Sequence, residues 1–211
     1  MDLALFDFDG TITSKDTFTS FIHFAVRPKK LALGKIFLAP LVAGYKLGIF
    51  PGSILRSSVS WLGFKNEQES DLNAVGLKYS QEFLPTVIRP KALERIEWHK
   101  NRGDVVVVVS ASLSVYLTNW CKNYGINLIC TELESKNGVL TGYYQQGDCS
   151  YARKASRILQ KFNPSDYSMI YAYGDTKEDF AMLDLAQKKY YRWKEISNTR
   201  EINNKDKSRA E

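Results

Sequence analysis

The sequence predicts an α/β protein with a parallel sheet core and a long helical insertion after the first strand. Apolar runs without helical periodicity occur at residues 3–8, 105–109 and 169–173, as is typical of parallel strands buried on both faces. In the second half of the chain such runs alternate with helical patterns, whereas residues 16–102 have helical periods alone. Alternation of strand and helix indicates a parallel sheet.

The elements of the core follow in a regular order. The first strand ends at the turn residues Asp9 and Gly10. After the strand at 105–109 the patterns predict a helix at 113–123, a strand at 126–131, a hairpin at 132–145 around Asn137 and Gly138, a helix at 151–162, the strand at 169–173, a short helix at 177–186 and an edge strand near Tyr190. From about residue 196 the chain is polar and charged, which predicts a mobile tail.

Composition narrows the class of protein. The chain has 211 residues, of which 44% are hydrophobic and 25% charged, as in ordinary globular proteins with a full core. Its net charge of +6 fits an anionic substrate, an acidic membrane surface or simple solubility. No strip of basic and aromatic residues favours a nucleic-acid partner. Three cysteines without a CxxC pair, and a first apolar run too short for a signal peptide, predict a cytoplasmic protein.

Two carboxylates follow the first strand. Alternate side chains of a strand share a face, so Asp7 and Asp9 can enter one site at the carboxyl edge of the sheet. A calcium loop does not fit, because the twelfth position counted from Asp7 is Phe18 and not Glu. An ordinary acidic turn is the alternative reading.

Two further strand ends carry polar residues. Ser110 follows the strand at 105–109 and can bind a phosphoryl oxygen or simply cap the next helix. Asp175 and Asp179 follow the strand at 169–173 and are four residues apart, on one face of a helix. Converging carboxylates repel each other unless a cation lies among them, and oxygen ligands favour Mg²⁺. Capping by Asp175 with a solvated Asp179 is the alternative.

These motifs together resemble the haloacid dehalogenase superfamily, in its phosphoserine-phosphatase-like branch. The resemblance rests on Asp-Phe-Asp-Gly-Thr at residues 7–11 and Gly-Asp-Thr-Lys-Glu-Asp at residues 174–179. It implies a Rossmann-like core at residues 1–14 and 92–195, a helical cap at 15–91 and a flexible charged tail at 196–211.

The resemblance also implies the roles of the site residues. Asp7 would be the nucleophile, Asp9 the general acid and base, and Ser110 the hydroxyl that binds the phosphoryl group. Lys154 resembles the lysine of the family's third motif, at the start of a helix, and would bind the phosphoryl group as well.

A magnesium ion is implied in the same way. Asp175 would bind Mg²⁺ together with Asp7 and the backbone carbonyl of Asp9. Asp179 would hold Lys154 or support the surroundings of the metal. The expected activity is therefore magnesium-dependent hydrolysis of a phosphomonoester through an aspartyl-phosphate on Asp7.

The substrate is less closely defined by the sequence. A small phosphorylated metabolite is expected, with Asp16 and Arg56 as candidate ligands for its amine and carboxylate, although Asp16 is an equally good helix cap. Ala111 and Ser112 depart from the two glycines that usually follow the second-motif serine in phosphoserine phosphatases, which argues against phosphoserine itself. Phosphotransfer to an acceptor other than water, and a binding module without catalysis, are the alternative functions.

The apolar segment at residues 31–50 offers another substrate class. Two lysines and several Gly and Pro residues argue against a membrane span, and a buried cap hairpin is the favoured interpretation. The alternative is an element at the membrane surface beside Arg27, Lys29 and Lys30, which resembles the phosphatidylglycerophosphate phosphatases of this branch. A lipid phosphate and peripheral contact with the inner membrane face would then follow.

Overall fold

A computed structural model describes residues 1–202 of the chain. Its main sheet has six strands in the order β3-β2-β1-β6-β7-β8, and a separate hairpin is formed by β4 and β5. The strands are β1 (Leu3–Phe6), β2 (Val105–Leu113), β3 (Asn127–Thr131), β4 (Leu133–Lys136), β5 (Val139–Tyr144), β6 (Ile170–Gly174), β7 (Lys188–Tyr191) and β8 (Lys194–Ile196). All neighbours in the main sheet are parallel except β7 and β8, which confirms the predicted α/β class.

Helices occupy the segments between the strands. Five of them lie in the insertion between β1 and β2, before α6 leads into the second strand. The helices are α1 (Thr17–Ala25), α2 (Pro28–Phe37), α3 (Ala39–Lys46), α4 (Gly52–Phe64), α5 (Glu69–Glu82), α6 (Pro90–Asn101), α7 (Ser114–Tyr124), α8 (Ala152–Lys161) and α9 (Phe180–Leu183).

Strand β1 lies in the centre of the sheet and contributes to the core on both faces. Leu3 pairs with Val105 on one side and with Ile170 on the other. Its alternate residues separate into two buried clusters, with Ala4 and Phe6 in one and Leu3 and Leu5 in the other, as the two-residue period of a strand requires. The strand that precedes Asp7 is therefore held rigidly from four directions.

The helical insertion is joined to the core by two adjacent segments. Thr13 and Ile88 form an antiparallel bridge, and the Arg89 backbone N–H donates to the Ile12 carbonyl at 2.9 Å. The insertion also packs tightly on the core, since a Cβ on Gly76 of α5 would lie 2.2 Å from the backbone oxygen of Val115 in α7. The division into a core at 1–14 and 92–195 and a cap at 15–91 stays a prediction.

Helices α2 and α3 correct one expectation. The favoured interpretation of residues 31–50 as a buried hairpin is wrong, because most of its large apolar side chains are exposed, including Ile36 at 72% and Leu47 at 75%. The two helices are short and only partly covered by α4, so one side of the pair faces outward. No helix among residues 1–202 is long and apolar enough to cross a membrane.

The hairpin of β4 and β5 connects the core to the insertion. Its turn residues, Asn137 and Gly138, have φ values of 53° and 79°, as a two-residue hairpin turn needs. Tyr144 and Ser60 share a hydrogen bond of 2.8 Å, and the backbone N–H groups of Asn66 and Leu140 donate at 2.9 Å to the carbonyls of Leu140 and Glu67. The end of α4 is thus fixed to a hairpin of the core.

The C-terminal segment differs from prediction in two ways. Tyr190 lies in β7, which is not the edge strand, because β8 pairs antiparallel with it on the outer side. The predicted mobile tail also begins too early, since Thr199 is buried and its hydroxyl donates to Asp184 Oδ1 at 2.8 Å. Residues 203–211 of that predicted tail lie outside the described residues.

Candidate active site

The carboxyl ends of β1 and β6 meet at one edge of the sheet. Asp7 follows β1 and Asp175 follows β6, and these strands are hydrogen-bonded neighbours. Gly10 allows the close approach of the two ends: its φ is +80°, and a Cβ there would lie 2.1 Å from Asp175 Oδ2. Only glycine satisfies both conditions.

Lys154 reaches this edge from the first turn of α8. Its ammonium donates to Asp7 Oδ1 at 2.5 Å and to Asp179 Oδ1 at 2.6 Å, and the side chain is fully buried. Burial alone would lower the pKa of Lys154, but the carboxylates of Asp179 and Asp7 outweigh it and raise the pKa. Lys154 is therefore a permanent positive charge between two carboxylates.

Asp179 is fixed by backbone donors. Its Oδ2 accepts from the backbone N–H groups of Asp175 and Thr176, each at 3.0 Å, and from the Thr176 hydroxyl. This capping geometry directs Oδ1 toward Lys154. Asp179 therefore holds the lysine in place beside Asp7.

Three carboxylates converge closely enough to bind a metal ion. Ligand oxygens of Asp7, Asp175 and Asp179 lie within 4.8 Å of one another. Burial, followed by the charge of Asp179, raises the pKa of Asp175 to about 6. Burial and Asp179 likewise raise the pKa of Asp7, and Lys154 opposes this. An all-oxygen donor set with surplus negative charge fits Mg²⁺.

Asp9 is held by residues that the sequence interpretation did not assign. Its Oδ1 accepts from both the backbone N–H and the hydroxyl of Thr17 at 2.6 Å, and its Oδ2 accepts from the Ser112 hydroxyl at 2.5 Å. Burial and the nearby charge of Asp16 raise the pKa of Asp9, although these hydrogen bonds lower it. A carboxyl group that is buried and firmly oriented suits proton transfer.

Ser110 lies near the carboxyl end of β2 and lines the same cavity as Asp7 and Asp9. Its hydroxyl oxygen accepts from the backbone N–H of Ser112 at 3.0 Å. The hydroxyl hydrogen is thus available for an oxygen in the cavity. The structure brings together six predicted residues that also line this cavity: Asp7, Asp9, Ser110, Lys154, Asp175 and Asp179.

The two candidate substrate ligands have other partners. Asp16 caps α1, accepting from the Thr19 backbone N–H at 3.1 Å. Arg56 donates from Nε to Asp148 Oδ2 and from Nη2 to Glu178 Oε2, both at 2.8 Å. Both residues line the cavity, and their predicted roles in substrate binding stay predictions. In this structure the Arg56 guanidinium joins α4 to two core carboxylates.

The site opens into a cavity of about 740 Å³. One end is formed by the carboxylates, serines and lysine at the sheet edge. The opposite wall is formed by the helical insertion and is mainly apolar, with contributions from Phe18, Ile22, Val26, Leu31, Leu38, Val42, Leu55, Val59 and Leu62. A cavity of this size holds a small organic molecule.

Two sequence relatives match most of the chain. Protein CicA from Caulobacter vibrioides is 29% identical over 192 residues, which cover 90% of this chain and 85% of CicA. A histidinol-phosphatase from Neisseria meningitidis serogroup C is 24% identical over 199 residues, covering 87% of this chain and 86% of that protein.

Solved structures share the fold. A protein of unknown function from Bordetella pertussis superposes with a TM-score of 0.77 and 18% identity, covering 99% of this chain and 96% of that one. A phosphoserine phosphatase solved as a phospho-aspartyl intermediate analogue has a TM-score of 0.62 and 20% identity, covering 97% of this chain and 98% of that one. These likenesses confirm the predicted Rossmann-like core with inserted helices.

A family model described as haloacid dehalogenase-like hydrolase matches residues 4–184, a span from β1 to the Asp184 that follows α9. The match includes both strand-end motifs and the helical insertion between them. It confirms the predicted family and the enzyme class of hydrolase. The protein is a member of the haloacid dehalogenase-like hydrolase family.

Proposed function

We propose that the protein is a magnesium-dependent phosphatase that hydrolyses a phosphomonoester through an aspartyl-phosphate on Asp7. The observation that carries this proposal is the convergence of Asp7 with Lys154 and Asp175 in one buried site. A buried carboxylate beside a fixed ammonium is suited to attack a dianionic phosphoryl group. The similarity to a histidinol-phosphatase and to the fold of a phosphoserine phosphatase supports the same reaction class.

Asp7 begins the reaction as nucleophile. One of its carboxylate oxygens forms a bond to phosphorus while the bond from phosphorus to the ester oxygen breaks. Lys154, 2.5 Å from Asp7 Oδ1, offsets the repulsion between the two anions. Mg²⁺, held by Asp7 and Asp175, would supply further positive charge at the phosphoryl oxygens. Ser110 is placed to donate a hydrogen bond to one of them.

Asp9 serves both half-reactions. In the first it gives its proton to the departing ester oxygen, which releases the alcohol product. The resulting carboxylate then takes a proton from the water that attacks the aspartyl-phosphate, freeing inorganic phosphate and regenerating Asp7. The hydrogen bonds from Thr17 and Ser112 keep Asp9 in one orientation through both steps.

The substrate is a phosphorylated molecule whose organic part faces the apolar wall of the cavity. A small phosphorylated metabolite fits the volume of about 740 Å³. A lipid phosphate carries the same phosphomonoester group on a much more apolar body. The same site residues would also serve transfer to an acceptor other than water.

Phosphate release tests the chemistry directly. Wild type, Asp7→Asn and the matched control Asp71→Asn, an exposed carboxylate on α5, are assayed on phosphorylated metabolites and a dispersed lipid phosphate, with magnesium or a chelator. We expect magnesium-dependent release that falls about 10³-fold or more in Asp7→Asn alone, since the covalent step is lost.

Two outcomes would count against hydrolysis at Asp7. Undiminished release by Asp7→Asn would remove it as the nucleophile. Appearance of the phosphoryl group on an added alcohol in place of free phosphate would indicate a phosphotransferase.

A further inference from the structure

The outer side of α2 and α3 exposes large apolar side chains. We call this surface the apolar face and define it by Leu33, Ile36, Phe37, Leu47 and Ile49, which are exposed by 56, 72, 71, 75 and 65%. They lie within 17 consecutive positions on two short helices and the loop that follows. Single exposed apolar residues are ordinary, but a contiguous group of this kind marks a surface that binds something.

The charge around the apolar face has one sign. Residues 17–66 contain seven Lys or Arg residues and no Asp or Glu. Lys29, Lys35 and Lys46 are exposed on the helices that carry the face. Among the described residues two of the seven have an acidic partner: Lys30 pairs with Glu67 at 2.8 Å, and Arg56, in α4, pairs with Asp148 and Glu178 at 2.8 Å. A cationic rim around an exposed apolar centre complements an anionic apolar surface.

The other side of the same two helices lines the catalytic cavity. Leu31 and Lys35 of α2 and Leu38, Val42 and Tyr45 at and within α3 form part of its wall, and Asp7 lies at the opposite end. One pair of helices therefore separates the site from the apolar face. Leu31, Leu38 and Val42 therefore offer apolar contacts in the cavity on the inner side of the helices that carry the apolar face.

We infer that the apolar face docks on an anionic lipid bilayer and that the cavity takes a lipid phosphomonoester from it. The inference rests on the proposed phosphatase function, which it narrows to one substrate class. Helices of 10 and 8 residues are too short to span a bilayer but long enough to lie in its interface. The lysine stems cover apolar surface while their ammonium groups reach the lipid phosphates.

Charge favours a bilayer over a protein partner. A protein groove that buries five large apolar side chains would have to supply a ring of acids to match this rim. An anionic bilayer has an apolar acyl region and negatively charged headgroups over its whole surface, so it matches both parts of the apolar face and its rim. The insertion supplies most of the apolar residues in the cavity wall, and these fit the acyl chain of a substrate from the same source.

Vesicle co-sedimentation tests the docking. The probes are phosphatidylcholine vesicles alone and with about 30 mol% phosphatidylserine, which makes the surface anionic. The test variant is Ile36→Glu/Phe37→Glu, and the control is Leu159→Glu, an exposed leucine on α8. We expect wild type and control to bind the anionic vesicles, and the double variant to bind about tenfold or more weakly because two apolar side chains become charged.

Two activity assays, one in solution and one on vesicles, distinguish a failure of this inference from a failure of the proposed function. Wild type and both variants are assayed on 4-nitrophenyl phosphate in solution and on dioleoyl phosphatidic acid in anionic vesicles. Ile36 and Phe37 do not line the cavity, so we expect all three proteins to hydrolyse the soluble ester within about twofold of each other. Hydrolysis in vesicles should fall about tenfold in the double variant alone, since its delivery to the bilayer is lost.

The outcomes that would overturn the inference are distinct. If wild type does not hydrolyse 4-nitrophenyl phosphate in solution, the proposed phosphatase function is refuted. Soluble hydrolysis without binding to anionic vesicles, or equal vesicle binding by the double variant, would refute membrane docking. A dimer in gel filtration that Ile36→Glu/Phe37→Glu dissociates would assign the apolar face to a second copy of the chain.

Discussion

Two regions depart from the usual distribution of side chains, in which charged groups are exposed and apolar groups are buried. They are the apolar face and the edge of the sheet that carries Asp7, Lys154 and Asp179, called the catalytic edge below. At the catalytic edge Asp7, Lys154 and Asp179 are charged and at most 6% exposed. On the apolar face Ile36 and Leu47 are apolar and more than 70% exposed. A buried charge costs stability unless it is paired, whereas an exposed apolar side chain gives up the stabilisation that its burial would provide.

The two regions differ in what offsets that cost. At the catalytic edge the compensation lies within the chain, because each charge has a partner of opposite sign or a backbone donor within 3.0 Å. On the apolar face the described chain supplies no cover. The charges of the first region are therefore compensated within the described chain, whereas the docking inferred above would cover the second with an anionic bilayer.

Lys154→Met gives the largest effect at the catalytic edge. It removes the cation between two buried carboxylates, so turnover should fall by about 10²-fold or more. Without magnesium the free energy of unfolding should fall by about 3 kcal/mol, because an uncompensated buried charge remains. Phosphate release and urea unfolding measure the two effects.

The control for this change is Lys161→Met, an exposed lysine at the end of the same helix. It should alter neither quantity. Near-normal turnover in Lys154→Met would show that this lysine has no part in the reaction. The compensation of charges described for the catalytic edge would then have no role in activity.

Two phenylalanines compare the apolar face with the buried core for the same type of side chain. Phe21 is buried against the rings of Phe64, Tyr79 and Tyr116, whereas Phe37 is 71% exposed. Phe21→Ala should lower the free energy of unfolding by about 3–5 kcal/mol through loss of packing. Phe37→Ala should change it by no more than about 0.5 kcal/mol. A large loss in Phe37→Ala, measured by urea unfolding, would mean that the apolar face is packed within the chain.

The smallest predicted effect concerns the pKa of a buried histidine, His99. His99 is buried in the core, where its ring contacts Asp104 at 2.8 Å and the Tyr173 hydroxyl at 2.9 Å. Burial lowers the pKa of His99 below its ordinary 6.5, aided by Arg95 and Arg102 and opposed by Asp104. Because Tyr173 keeps its proton, its hydroxyl donates to Nε2 of the neutral ring, and Nδ1–H donates to Asp104.

The lowered pKa fixes the sign of a pH effect. The unfolded chain takes up a proton at His99 first as pH falls, so this contribution to stability is present above about pH 6.5 and is lost as pH falls toward the folded pKa. The difference in unfolding free energy between wild type and His99→Gln should therefore shrink on acidification. NMR titration should give His99 a pKa below 6.5, with exposed His23 as the second imidazole signal; a His99 pKa above that value would contradict the expectation.

Strand-end residues were the most predictable part of the site. Asp7, Asp9 and Asp175 follow apolar runs, and parallel strands bring their carboxyl ends to one edge whatever the rest of the chain does. Lys154 needed the family resemblance, because nothing in a helical lysine itself indicates burial. Thr17 and Ser112 were missed as partners of Asp9, since their contacts depend on how the insertion sits on the core.

The least predictable feature was the orientation of the apolar segment. Composition identified residues 31–50 as apolar but did not determine which side would be covered. Gly34 and Gly44 allow close packing on one side only, against Leu62 and Phe50, and the larger residues are left on the other. Arg56 was similarly ambiguous, because its two carboxylate partners lie 92 and 122 residues away in sequence.

The central place of β1 has a consequence for synthesis. The strand that carries the proposed nucleophile leaves the ribosome before both of its neighbours, which follow about 100 and 165 residues later. Until β6 and the segment after it are made, β1 has an open edge and Asp7 lacks Asp175 and Asp179. A nascent or truncated chain that ends before β6 would therefore carry the proposed nucleophile without the complete set of groups proposed to activate it, and the proposed phosphoryl transfer would begin only after residue 179 is made.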